Sequence, residues 1–133
     1  MKNENLSYLL ARLPIGMSLF GHGLVRIPKL AVFSEWMVGT FSKSMIPELL
    51  VLPFSYLLPV VELVIGILLL SGLFTRFALI LGVGVMLSLI FGSCMIEQWE
   101  FVFTQVVYGV YFAALYRYIS YNKVSLDHLI FNK

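Results

Sequence analysis

An all-α membrane protein, built as a four-helix bundle with a short interfacial helix in its first loop, is what this sequence predicts. Three observations carry the prediction. Of its 133 residues 60% are hydrophobic and only 12% charged, about half the charge that soluble domains present to water. The apolar residues gather into four separate runs, each close to the roughly 20 residues that a helix needs to cross a bilayer. Between the first and second runs, apolar side chains recur at helical spacing instead of forming a fifth run.

The first run, Leu6 to Ile27, reads LSYLLARLPIGMSLFGHGLVRI. Only 13 residues separate Arg12 from Arg26, too few for a span, so the first helix must take Arg12 into the membrane. The second run is 53–74 and the third, 77–96, carries no charge; the fourth is 99–119. Between the second and third, Leu73 to Arg76 allows only an antiparallel hairpin. In the long first loop, Leu30, Phe33, Met37 and Phe41 share one face, with Ser34, Glu35, Ser42 and Lys43 nearer the other, a pattern that suits a helix lying in the interface. The chain is expected to form one domain, 1–133. Lacking a small-x-small cleavage site after the first run, that segment is expected to stay in the mature protein.

With both termini in the cytoplasm, the inside carries Lys2, Arg76, Arg117, Lys123 and Lys133, against Arg26, Lys29 and Lys43 outside. The positive-inside rule therefore predicts N-in and C-in topology. A net charge of +2 without a basic stripe excludes nucleic acid as partner. Two histidines at opposite ends, His22 and His128, exclude a metal or bis-histidine haem site. A lone Cys94 forms neither an intrachain disulfide nor a thiol relay. No phosphate-binding glycine loop is present, and no catalytic residue is assigned.

Glu62 is the most informative residue, because no other charge lies between Pro53 and Phe74. A carboxylate at that depth costs roughly 3 kcal/mol on insertion scales. It needs a partner, a proton or a cavity. At 1.5 Å per residue, Arg12 lies about 9 Å and Glu62 about 15 Å from the cytoplasmic end, so an Arg12–Glu62 pair is the cheapest expected arrangement. That pair reads either as a strut for bundle register or as part of a ligand or proton site. Gly16, one turn from Arg12, and Gly23, further along nearly the same stripe, with Pro59 and Gly66 beside Glu62, would let the two backbones approach and leave a notch. His22 and Arg26, one turn apart, are candidate ligand contacts at the outer mouth; the alternative for His22 is a bond to a loop carbonyl. Glu97, Gln98, Trp99 and Glu100 face the same compartment and could share a vestibule with them. Gln105, Tyr108 and Tyr111 are expected to hydrogen-bond across helices. Gly84, Ser88 and Gly92 suggest a packed interface, within the bundle or against a second copy.

Together these segments resemble the DoxX family of small four-span membrane proteins. RLPIGMSLFGHGLVRIPKL is similar to its opening arginine-x-x-x-glycine helix, and VELVIGILLLSGLFTR to its glutamate–glycine–leucine run and Gly-Leu-x-Thr-Arg turn. The basic position near the end of the first helix is split here between Arg26 and Lys29. The resemblance implies a bacterial inner-membrane protein linked to redox metabolism, through sulfur, quinone or oxidative stress. With no covalent cofactor and no redox group of its own, the chain would need a bound quinone and a redox partner subunit. A non-catalytic anchor or assembly partner is the second reading. A small-solute carrier ranks third, since no inverted repeat relates the two halves.

Overall fold

A computed structural model describes residues 2–132. Among them every regular element is helical: α1 (Asn3–Arg26), α2 (Leu30–Phe41), α3 (Glu48–Ser71), α4 (Thr75–Met95), α5 (Trp99–Arg117) and α6 (Leu126–Phe131), with single 3-10 turns at Ile27–Lys29 and Ile119–Tyr121. Three helical stretches are long and apolar enough to cross a membrane: Asn3–Phe41 through its 3-10 turn, Glu48–Ser71 and Thr75–Met95. α5 stands outside that group. Its Glu100, Gln105 and tyrosines lower the hydropathy of a helix of otherwise sufficient length. Large apolar side chains such as Leu10, Met17, Leu57, Phe77, Ile80, Leu87 and Phe103 point outward, the surface that lipid covers.

α1 lies antiparallel to α3, and glycine sets their distance. A Cβ on Gly16 would stand 3.1 Å from Leu69 Cβ, and one on Gly23 would stand 2.6 Å from Leu63 Cβ and 2.7 Å from the Pro59 carbonyl. A Cβ on Gly66 would collide with the Phe20 backbone. With backbone against backbone at three levels, neither helix can slide or separate without opening the contact. On the other side, Gly82 receives the Phe112 ring, which locks α4 to α5. The core between these pairs is Tyr8, Ile15, Leu19, Ile65, Leu69, Ala78, Leu79, Met86, Phe112 and Leu115.

The helix of the first loop packs on α3, and its buried face differs from the expected one. Met37 is buried against Val51 and Leu58, but Ser34 is buried too, with its Oγ 2.7 Å from Ser55 Oγ. Ser55 also donates to the Leu52 carbonyl at 2.6 Å. A serine placed on the polar face by spacing is drawn inward because α3 offers a hydroxyl to match it. α3 itself starts five residues before Pro53, directly after Pro47 at its N-cap, where a proline's missing N–H lies outside the helical ladder. The Gly84 and Ser88 part of the third-span stripe faces open space, while Gly92 meets Phe41.

The end of the chain is a built element that periodicity does not announce. After α5 the chain turns back and docks on the α3–α4 turn. That turn needs two left-handed residues, Gly72 (φ 71°) and Phe74 (φ 47°). The second is strained for a side chain. Asp127 compensates by accepting from Phe74 N at 2.6 Å and Thr75 N at 2.8 Å, capping α4, while its own N–H donates to the Gly72 carbonyl at 3.0 Å.

Two outcomes follow from this packing. Gly66→Val forces α1 and α3 apart and removes most folded protein from detergent extracts, whereas Gly84→Ala, on an open face, keeps or slightly raises the melting temperature. Asp127→Asn, which weakens the charged cap by about 1 kcal/mol, exposes the segment after Arg117 to limited proteolysis before the helices unfold.

Candidate functional site

Arg12 and Glu62 do not pair. Arg12 is only 2% exposed, and the partners of its guanidinium are the Leu69 carbonyl (Nε, 2.7 Å), Asn122 Oδ1 (Nη1, 2.6 Å) and the Val124 carbonyl (Nη1, 3.1 Å). Asn122 in turn donates to Thr75 Oγ1 at 3.1 Å. Arg12 is therefore the pin through the docked tail, at the end of the molecule where α3 meets α4. Gly72 makes room for it: a Cβ there would lie 2.9 Å from Arg12 Nη1.

Glu62 belongs to the opposite end. Its Oε2 lies 3.4 Å from Arg26 Nη1. The glycine register places Gly23 opposite Leu63, so the residue level with Glu62 lies near the end of α1, not at Arg12. Side-chain direction completes the correction. Helical side chains lean toward their own N-terminus, and α1 and α3 run oppositely. Arg12 thus leans toward the tail, Glu62 leans away from it, and Arg26 leans back to meet Glu62. Depth counting along each helix omitted this tilt.

Around Glu62 the helices leave a cavity of about 770 Å³, within the range of small-molecule sites. Its walls are α1, α3, α4 and α5, with α2 closing the side, and most of them are aliphatic or aromatic: Leu19, Phe33, Trp36, Met37, Phe54, Leu58, Met86 and Phe101 among others. Phe33 and Trp36 stack at 5.9 Å between ring centroids, and the Arg26 guanidinium sits 4.5 Å above Phe33. Into this apolar lining project Glu62, Arg26, His22, Gln105 and Tyr108. Lys29, Glu97 and Glu100 are not among the residues that line it.

The polar groups form a line. Tyr108 and Ser18 share a short hydrogen bond between hydroxyls. One turn on, His22 Nδ1 donates to the Ser18 carbonyl at 2.6 Å, and one turn further Arg26 reaches Glu62. His22 thus bonds to its own helix, not to a loop. The Arg26–Glu62 contact is long for a charge-assisted hydrogen bond, whose usual length is near 2.8 Å, and leaves the carboxylate free to accept from another group. Gln105 departs from its expected role between helices: among the described residues its Oε1 is the one buried side-chain polar atom without a hydrogen-bond partner. The tyrosines do bridge helices, Tyr8 to the Leu115 carbonyl at 2.7 Å and Tyr111 to that of Ala11.

Sequence reasoning missed two contributors, the tail residues Asn122 and Val124 and the α2 wall carrying Phe33 and Trp36. Periodicity is silent about the first, because the tail is held by single polar contacts. A signal for the Arg26–Glu62 pair did exist. Consecutive spans cross in opposite directions, and opposite directions of α1 and α3 with the N-terminal tilt of side chains exclude Arg12.

Arg12→Met leaves the Leu69, Asn122 and Val124 acceptors unmatched and costs about 3 kcal/mol of stability. Adding Glu62→Met to it recovers nothing, because the two residues belong to different ends. Melting curves of the single and double variants in one detergent measure this.

No curated protein and no solved structure matches the chain significantly. The DoxX family model matches residues 7–93, a segment that holds Arg12, Arg26, Glu62 and the Gly72–Arg76 turn and stops short of α5 and the tail. Covering well over half of the 133 residues, that match shows that this membrane protein belongs to the DoxX family.

Proposed function

We propose that the protein is a four-span bundle in a bacterial inner membrane and serves as the membrane subunit of a quinone-linked redox system, with the Glu62 cavity as the quinone site. The observation that carries this reading is the cavity itself. In a chain surrounded by lipid, an apolar volume of about 770 Å³ faces one ion pair, a histidine and an unpartnered amide oxygen. Such a lining suits a ligand that is apolar over most of its surface and polar at one head.

A quinone fits that donor and acceptor set. Arg26 and Glu62 would hold its polar head, the Phe33–Trp36 pair would lie against its ring, and the aliphatic wall would take its tail. When bound, it supplies two-electron chemistry that the chain, with only Cys94 as a thiol, does not carry. The side chains bind, orient and keep water away. α5 would be the fourth span: Gln105, Tyr108 and Tyr111 turn inward onto α1 and the cavity, so part of its low hydropathy reflects what it holds, not where it lies. The tail end groups Lys2, Arg76, Arg117 and Lys123 around the α3–α4 turn. The positive-inside rule sets that end in the cytoplasm, with the cavity toward the outer leaflet. Electrons would come from a partner redox subunit.

A second reading, an anchor or assembly partner without a ligand, draws on one observation. The Arg12 guanidinium is held by the Leu69 and Val124 carbonyls and by Asn122, a structural use of a buried charge that ties the tail to the bundle.

Organic extraction of the purified protein followed by mass spectrometry tests the first reading. Co-purifying ubiquinone or menaquinone is expected, with loss of at least tenfold in Arg26→Leu and in Glu62→Gln, both of which retain the fold. Protein that is free of quinone and does not bind an added short-chain ubiquinone analogue overturns it in favour of the anchor.

A further inference from the structure

The first and last long helices meet along a thin seam. α1 packs on α3 through glycines but reaches α5 through tyrosine hydroxyls: Tyr8 to the Leu115 carbonyl at 2.7 Å, Tyr111 to that of Ala11, and Tyr108 to Ser18. Beyond the Tyr108–Ser18 pair, on the side away from Glu62, the two helices leave a second cavity of about 760 Å³. Tyr8 and Leu115 are its most buried lining, while Val107, Val110 and Ala114 are exposed. The cavity is therefore a groove open to whatever surrounds the bundle. Its buried hydroxyls are already bonded to carbonyls, so the surface left for an occupant is mostly apolar.

One end of the groove is polar and positive. Asn3, Glu4, Tyr118 and Tyr121 line that mouth, and the two tyrosine rings stack with centroids 6.3 Å apart. Arg117 continues the Val110–Ala114 stripe at helical spacing and holds its guanidinium 5.5 Å from the Tyr118 ring centroid. Lys2 directly precedes Asn3, and the Lys123 N–H donates to the Tyr121 carbonyl at 2.8 Å. Three cations thus border the mouth against the carboxylate of Glu4. From Tyr118 to Val107 the groove follows about 16 Å of α5.

We infer that this groove binds an anionic phospholipid, one acyl chain lying between α1 and α5 and the phosphate meeting Lys2, Arg117 and Lys123. The site is separate from the Glu62 cavity and independent of the quinone reading. Charge complementarity selects the lipid class, since basic clefts between spans suit anionic headgroups. The hydroxyls of Ser7, Tyr118 and Tyr121 are donors for its phosphate and ester oxygens. A partner's helix, about 10 to 12 Å across with its side chains, would rest on the edges of the groove, whereas an acyl chain is thin enough to reach Tyr8 and Leu115.

Native mass spectrometry of the delipidated full-length protein in a neutral detergent tests this, with phosphatidylglycerol and phosphatidylcholine of identical chains titrated separately. The wild-type protein retains phosphatidylglycerol about tenfold more strongly. The combined variant Lys2→Gln, Arg117→Gln, Lys123→Gln, altered only at exposed positions, retains the two lipids alike. Arg76→Gln keeps the preference, because that cation of the same end sits over Tyr116, outside the groove. Ala114→Phe fills the groove, abolishes retention of both lipids and leaves the melting temperature of the lipid-free protein unchanged or higher. Equal retention of the two lipids by the wild type, a loss of preference in Arg76→Gln as large as in the combined variant, or full retention in Ala114→Phe overturns the inference. So does a wild-type dimer that Ala114→Phe converts to a monomer, which assigns the groove to a second copy of the chain.

Discussion

The close antiparallel contact of α1 with α3 determines where every charge in the helices goes. Gly16, Gly23 and Gly66 bring the two backbones together without intervening side chains, which leaves one register and no freedom to rotate. In lipid, helices gain nothing from the hydrophobic effect by associating, so such steric fit is what remains to specify an arrangement. Once the register is set, Arg12 stands beside Leu69 and the turn after α3, and Arg26 stands beside Glu62. Two cations on one helix, Arg12 buried and Arg26 partly exposed, thereby acquire separate duties at opposite ends.

Those ends differ in how fully their polar groups are matched. Around Arg12 the guanidinium meets three protein acceptors, and Asn122 passes the network to Thr75. Around Glu62 the contact is single and long, the nearby histidine turns its bonded nitrogen to its own helix, and an amide oxygen lacks a partner. A satisfied polar network rigidifies, while an unsatisfied one has capacity to bind. The molecule can thus be read as a locked base under a receptive chamber.

Much of this was legible in the sequence. Apolar runs and their lengths placed the long helices, and the expense of a lone carboxylate singled out Glu62. Arg26 was visible as an isolated charge near the end of its helix. What periodicity could not supply was which charges meet, since that depends on register, and register here is set by the absence of side chains at three glycines. The tail was illegible for another reason. Its six-residue helix is too short for any pattern to emerge, and the tail is held by hydrogen bonds to residues 47 to 112 positions away. Ser34 shows the same limit on a smaller scale, because only the presence of Ser55 opposite makes burial favourable.

The separation of Arg12 from its partners bears on how the molecule is made. Asn122 lies 110 residues downstream of Arg12, and synthesis at about 5 to 20 residues per second spreads that interval over roughly 6 to 20 s. Throughout it the first helix holds a cation whose acceptors do not yet exist, apart from the Leu69 carbonyl. An unpaired guanidinium is cheapest near the aqueous boundary, and the arrival of residues 122–124 completes its partners within the fold. The tail therefore completes the first span: without residues 122–124, Arg12 keeps only the Leu69 carbonyl as a partner.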